Sequence, residues 1–180
     1  MVESTLLYAW SLPLSMAESV VIAEADDPQI WQAAFQAFTE GWALYSENLA
    51  AEMGVHEDDP LGRPCQLRLM MTRISRLVID KGLNALGWTW DGVAAFMLEE
   101  TGQRLSATRS LFFDAHPAQE CSYDIGYLTL LELRQRSMDA LGDAFDIRTS
   151  HDAILLHGTM PLSTLEWVID EWVKETLTGV

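Results

Sequence analysis

Positive charge is what this 180-residue chain has least of: eleven Lys and Arg stand against 27 Asp and Glu, a formal net charge of −16 at pH 7. Such a surface repels nucleic-acid phosphates and anionic lipid, so neither is an expected partner. Cysteine is scarce as well. Cys65 and Cys121 lie far apart with no CxxC spacing, which excludes a disulfide framework or a zinc knuckle and leaves reduced thiols as the default. Histidine occurs only at positions 56, 116, 151 and 157, never at the i, i+4 spacing of a helical zinc pair. No apolar run reaches the length of a membrane span, and the opening Met1-Val2-Glu3 lacks the positive n-region of a secretory signal. The expected location is therefore the cytoplasm, without a membrane partner. Glycine-rich phosphate loops, a G-x-S-x-G elbow, internal repeats, low-complexity tracts and sustained period-two alternation are all missing.

What the chain does have is apolar content: 49% hydrophobic residues and seven tryptophans, enough for a real core and incompatible with disorder. The expected architecture is one all-α domain over residues 1–180, a helical bundle. Periodicity and punctuation predict helices over Ser15 to Ala25, Pro28 to Met53, Cys65 to Leu83, Thr89 to Glu100, Ser106 to Phe113, Pro117 to Leu141, Asp146 to Leu156 and Pro161 to Leu177. Asp27 and Thr89 suit N-caps, Pro28 a first helical position, and Gly54, Gly102 and Gly158 suit stops.

The helix from Pro28 to Met53 carries the segment Thr39-Glu40-Gly41-Trp42-Ala43-Leu44-Tyr45-Ser46-Glu47. At about 100° per residue, Phe35, Phe38, Trp42, Tyr45 and Leu49 form one apolar stripe, while Glu40 points away from it among Ala33, Ala37, Leu44 and Ala51. A helix apolar nearly all round is a buried one, and a carboxylate inside it is costly unless paired, protonated or metal-bound. Glu40 is accordingly the first catalytic candidate, with Glu47 expected at the wet end of the same face. Tyr123, Tyr127, Leu130 and Arg134 share a narrow arc of the Pro117 to Leu141 helix, where phenol and guanidinium could grip a carboxylate and donate to an oxyanion. The competing reading makes the tyrosines ordinary core residues and Arg134 a surface ion-pair partner. His151 falls on the apolar stripe of its helix with Ile147, Ile154 and Leu155, as a catalyst or as a hydrogen-bonded core residue. His157 suits a helix C-terminus, and His56 and His116 fall in loops.

EGWALY, followed by Arg76-Leu77-Val78-Ile79-Asp80-Lys81-Gly82, Gly87-Trp88, Pro117-Ala118-Gln119, Tyr123-Asp124-Ile125-Gly126, Leu133-Arg134, Leu141-Gly142, Phe145-Asp146, His151-Asp152 and Pro161-Leu162, resembles the C-terminal part of the bacterial domain-of-unknown-function 885 family. The resemblance covers nearly the whole chain and implies the all-helical fold of gluzincin-type zinc peptidases. In that family the Glu of EGWALY would be the third zinc ligand, beside two histidines of an upstream His-Glu-x-x-x-Gly-His segment. Here that region reads Ser11-Leu12-Pro13-Leu14-Ser15-Met16-Ala17-Glu18-Ser19 and holds no histidine, and Asn84 stands where a family histidine is expected. The resemblance also puts Tyr123 and Arg134 on the substrate side of the cleft, lends weight to His151, and leaves the family's N-terminal half without a counterpart.

The resulting expectation is a metal-independent enzyme without cofactors, using acid-base catalysis to cyclise, isomerise or dehydrate a small molecule of a biosynthetic pathway. Its catalytic residues would be Glu40, Tyr123, His151 and Glu18, with Glu18 and Glu40 forming an acid and a base if they approach one another. Arg134, Tyr127 and Trp42 would bind substrate. Two other readings stand beside it: a non-catalytic binding or regulatory module, and a hydrolase holding metal through Glu40, His151 and another carboxylate. Under either of the first two, a homodimer or a partner complex is expected to cover apolar surface.

Overall fold

The computed structural model describes residues 35–105 and 107–179, apart from the side chains of 107–110. Among the described residues every regular element is helical: α1 (Gln36–Glu52), α2 (Gly62–Leu86), α3 (Trp90–Thr101), α4 (Ala107–Ala115), α5 (Gln119–Leu141), α6 (Ile147–Leu155) and α7 (Leu162–Thr178), with a 3-10 turn at Gly142–Ala144. The chain is thus all-α, as its periodicity predicts. The expected helix from Ser15, the start at Pro28 and Glu18 lie outside the described residues.

Local chemistry explains the boundaries. The Thr89 side chain accepts from the Gly92 N–H at 3.3 Å and Asp146 from the Arg148 N–H at 2.7 Å, each satisfying a donor that the first helical turn leaves open. Two starts differ from expectation. Helix α2 begins at Gly62 rather than Cys65, because Pro64 sits in the first turn, where its missing N–H costs no hydrogen bond. Helix α5 begins at Gln119 rather than Pro117: Ala118 has a φ of 67° and its N–H is taken by Asp80.

The chain divides into two compact units, Met1–Ser46 with Gly126–Val180, and Glu47–Ile125. In the first, Phe38, Trp42, Leu44 and Tyr45 from α1 are buried, as are Leu130 and Leu133 from α5 and Ile154, Leu165 and Ile169 from α6 and α7. Each such side chain contributes about 1.5–3 kcal/mol by leaving water. Helix α1 meets α5 through glycine: a Cβ on Gly41 would come within 2.5 Å of the Gly126 backbone, and one on Gly126 would strike the Ala37 carbonyl. Only two hydrogen side chains permit that approach, which gives the glycine of EGWALY a packing role.

The second unit is built on α2, against which α3 and α4 pack. Ile79, Val93, Met97 and Phe113 form its buried apolar cluster, with Leu83, Trp88, Trp90, Phe96 and Leu105 around it. Gly82 lies under the Trp88 indole, where a Cβ would approach ring carbons to 2.5 Å, and its carbonyl accepts the Trp88 N–H at 2.9 Å. Not all the apolar residues of α2 join this core. Leu69 and Ile74 are 50% and 49% exposed.

Candidate functional site

The side chains of the first unit that could do chemistry gather around His151 on α6. The Tyr45 hydroxyl and His151 Nε2 are 2.9 Å apart, and Trp42 meets the imidazole edge-on with ring centroids at 5.3 Å. Arg134 stands over the Tyr45 ring, its guanidinium carbon 5.9 Å from the centroid, within the range of a cation–π contact. Burial and the positive charge of Arg134 hold the His151 pKa below its ordinary value, with Asp152 opposing them weakly, so the ring is neutral at pH 7. Nδ1 of that ring makes no hydrogen bond among the described residues. Trp42 Nε1, in a side chain only 4% exposed, also has no partner among them.

A neutral imidazole held at one nitrogen and open at the other can work in either direction. If Nε2 carries the proton and donates to the Tyr45 oxygen, Nδ1 presents a lone pair and accepts a proton. If the Tyr45 hydroxyl donates to Nε2, Nδ1 carries the hydrogen and is a donor. The hydroxyl rotates to suit, so Tyr45 can partner either tautomer without moving a heavy atom. Tyr45 reads in the sequence as a stripe residue, and the one signal of a site role is that a buried phenol needs a partner for its hydroxyl.

The other candidates fall elsewhere or are already engaged. Glu40 is half-buried on α1, one turn before Leu44, and has an interaction of its own. Tyr127 is 9% exposed on the inner face of α5, in the first unit with Leu130 and Arg134. Tyr123 belongs to the second unit, half-buried near Arg76, whose positive charge it favours.

Glu47 requires a correction. It is not at a wet end but 2% exposed, and Arg73 holds both its oxygens, at 2.5 and 2.8 Å. Burial raises its pKa from 4.5 to about 7, against the lowering effect of Arg73. Gln66 closes the arrangement by donating to the Glu47 carbonyl at 2.7 Å. Asp124, also buried, has its pKa raised by desolvation, with Arg73 again opposing. Asp80 serves the backbone, accepting from the Ala118 and Glu120 N–H groups at 2.9 and 3.1 Å and from the Asn84 amide at 2.9 Å. Asn84, at the position of an expected family histidine, thus supports that carboxylate.

The family model for bacterial proteins of unknown function, DUF885, matches residues 17–169, and the chain belongs to that family. Among solved structures it is similar to "the putative lipoprotein from Colwellia psychrerythraea", at 37% identity and a TM-score of 0.76 over 81% of this chain. The matched region is 25% of that protein's length, so this chain corresponds to about a quarter of it. No curated protein matches. None of the described helices is long and apolar enough to cross a membrane.

Zinc, which the family resemblance brings with Glu40 as a ligand, finds no set of ligands among the described residues. Among the described residues no three His, Cys, Asp or Glu side chains are grouped to hold a metal, so no further carboxylate among them joins Glu40 and His151 in such a set. The segment from Ser11 to Ser19 offers no imidazole either.

Proposed function

We propose that the chain is a metal-independent acid-base enzyme acting on a small molecule, with His151 as the group that takes and returns the proton. The observation that carries this reading is the Tyr45–His151 pair at 2.9 Å, with an imidazole neutral at pH 7 and its Nδ1 unengaged among the described residues. A base works best when its deprotonated form is populated at the working pH, and burial beside Arg134 supplies that condition. Tyr45 fixes the ring through Nε2, so a proton taken up at Nδ1 can be given back from the same nitrogen to another atom of the same substrate. Cyclisation, isomerisation and dehydration are the reactions that such a transfer serves. The indole N–H of Trp42 supports binding of a ligand bearing an acceptor oxygen, and Arg134 adds positive charge beside the ring.

The test is to incubate chelator-treated protein with a fractionated small-molecule extract and follow masses. This reading expects a compound that rearranges without mass change or loses water, with turnover abolished in His151→Ala and cut about tenfold to a hundredfold in Tyr45→Phe. Turnover that requires added zinc contradicts it. Saturable ligand uptake without conversion would instead identify a binding module.

A further inference from the structure

In the second unit α2 and the start of α5 run antiparallel along a buried seam of charge. Asp80 on α2 accepts the Ala118 and Glu120 N–H groups, and one turn back Arg76 comes within 4.0 Å of the Glu120 carboxylate. A further turn back on α2 is Arg73, and one turn on along α5 is Asp124, so the register sets these two opposite each other. The charge of Arg73 is felt at Asp124, where it opposes the rise that burial imposes on the carboxyl pKa. Asp124 is only 7% exposed, and its Oδ2 has no hydrogen-bond partner among the described residues. An oxygen so sealed from water is served by a neighbouring side chain or by a proton.

On its other side Arg73 grips Glu47, at the end of α1, and the grip is lopsided. Oε2 accepts a hydrogen bond from Nη1 at 2.8 Å, whereas Oε1 meets Nη2 at 2.5 Å without an aligned N–H. Oε1 is therefore the atom at which a proton can sit. Once it does, an O–H faces an N–H across the same contact, donor against donor, and the guanidinium is pushed off. Arg73 has the freedom to leave: its side chain is 19% exposed, against 2% for that of Glu47.

We propose that Arg73 is a two-position clasp, tying α2 to the end of α1 while Glu47 is ionised and passing to Asp124 on α5 when Glu47 takes up a proton. The proton comes from water and stays on Oε1; the guanidinium keeps its charge throughout, and its arrival holds Asp124 ionised. The other charges along the seam have their own partners. Arg76 faces Glu120 and Tyr123, and Asp80 serves the backbone and Asn84. Cys121 is kept a thiol by burial together with Asp80 and Asp124, with exposed Lys81 opposing them, and Gln66 beside Glu47 is neutral. The exchange falls near pH 7, where Glu47 titrates, with α2 tied to α1 above that pH and to α5 below it.

Carbon-13 NMR of the full chain with labelled Glu and Asp carboxyls, between pH 5 and 9, tests the proposal. Glu47 should titrate near 7, and the Asp124 signal should shift along the same curve. In Asp124→Asn the protonated state loses the second seat for Arg73, so the Glu47 midpoint should fall by about one pH unit, a tenfold change in its ratio of protonated to ionised form. Double-mutant cycles on urea unfolding give a second reading: Arg73→Gln with Asp124→Asn should show coupling at pH 5.5 that falls at least about threefold at pH 8.5. A Glu47 midpoint indifferent to Asp124→Asn overturns the proposal, as does an Arg73–Asp124 coupling that is absent at pH 5.5. A midpoint that falls while the coupling keeps one value at both pH values shows plain repulsion between the carboxylates, and overturns it too.

Discussion

The two units differ in which buried polar groups are partnered, although each holds one with no hydrogen-bond partner among the described residues: Trp42 Nε1 in the first and Asp124 Oδ2 in the second. In the second, Glu47 is held by Arg73 and Gln66 supports its backbone, while Asp80 accepts two backbone N–H groups and an amide. Those groups are consumed in holding α1, α2 and the start of α5 together. In the first unit His151 has one partner for two nitrogens, and the Trp42 indole N–H has none among the described residues. Polar groups buried with unused hydrogen-bonding capacity lower stability unless something else uses them.

Breaking that contrast should show first in stability. Removing Arg73 leaves Glu47 buried without its cation, and Arg73→Ala is expected to cost about 3 kcal/mol of unfolding free energy, read from urea denaturation. Glu47→Gln, which keeps the shape and removes the charge, should cost markedly less. Next comes the glycine contact: Gly126→Ala forces α1 off α5 and is expected to cost about 1–3 kcal/mol, with Gly41→Ala similar. Either variant losing nothing would show that the approach is not close. Tyr45→Phe should cost about 1 kcal/mol for the hydrogen bond to His151, and it removes the group that fixes the imidazole.

The pH dependence sharpens the contrast because its sign differs between the units. Glu47 has a folded pKa of about 7 against 4.5 when unfolded, so the native state holds a proton that the unfolded chain releases. Its contribution is complete below 4.5 and is lost as pH rises through 7, on the order of 3 kcal/mol in all. His151 has a lowered pKa, so its contribution is present above the unfolded value of 6.5 and lost as pH falls through the folded one. Melting temperatures from pH 4 to 9 should show Glu47→Gln flattening the alkaline side and His151→Gln flattening the acidic side. Both variants acting on the same side would contradict the assignment.

Much of the fold was legible because helix signals are local. Thr89, Asp146 and Gly102 sit at caps that a few neighbouring residues determine, and the boundaries there move by no more than one or two positions. The site was legible only where a residue's own helix announced it. His151 stands on an apolar stripe, so its burial follows from periodicity; its partner Tyr45 is 106 residues away and nothing local marks the pair. Glu47 failed for the same reason. Its position suggests a helix end, and only Arg73, 26 residues on, makes an interior one. The glycines of EGWALY and of Tyr-Asp-Ile-Gly are each unremarkable until the helices are brought together.

The most direct test of the account is the protonation of His151, followed by nitrogen-15 and carbon-13 NMR of labelled imidazoles between pH 4 and 9, in the native chain and in Tyr45→Phe. The account predicts an apparent pKa below 6.5 in the native chain, a neutral ring at pH 7, and a change of tautomer balance on losing the Tyr45 hydroxyl. A pKa at or above 6.5, or a ring whose tautomer ignores Tyr45, would contradict it.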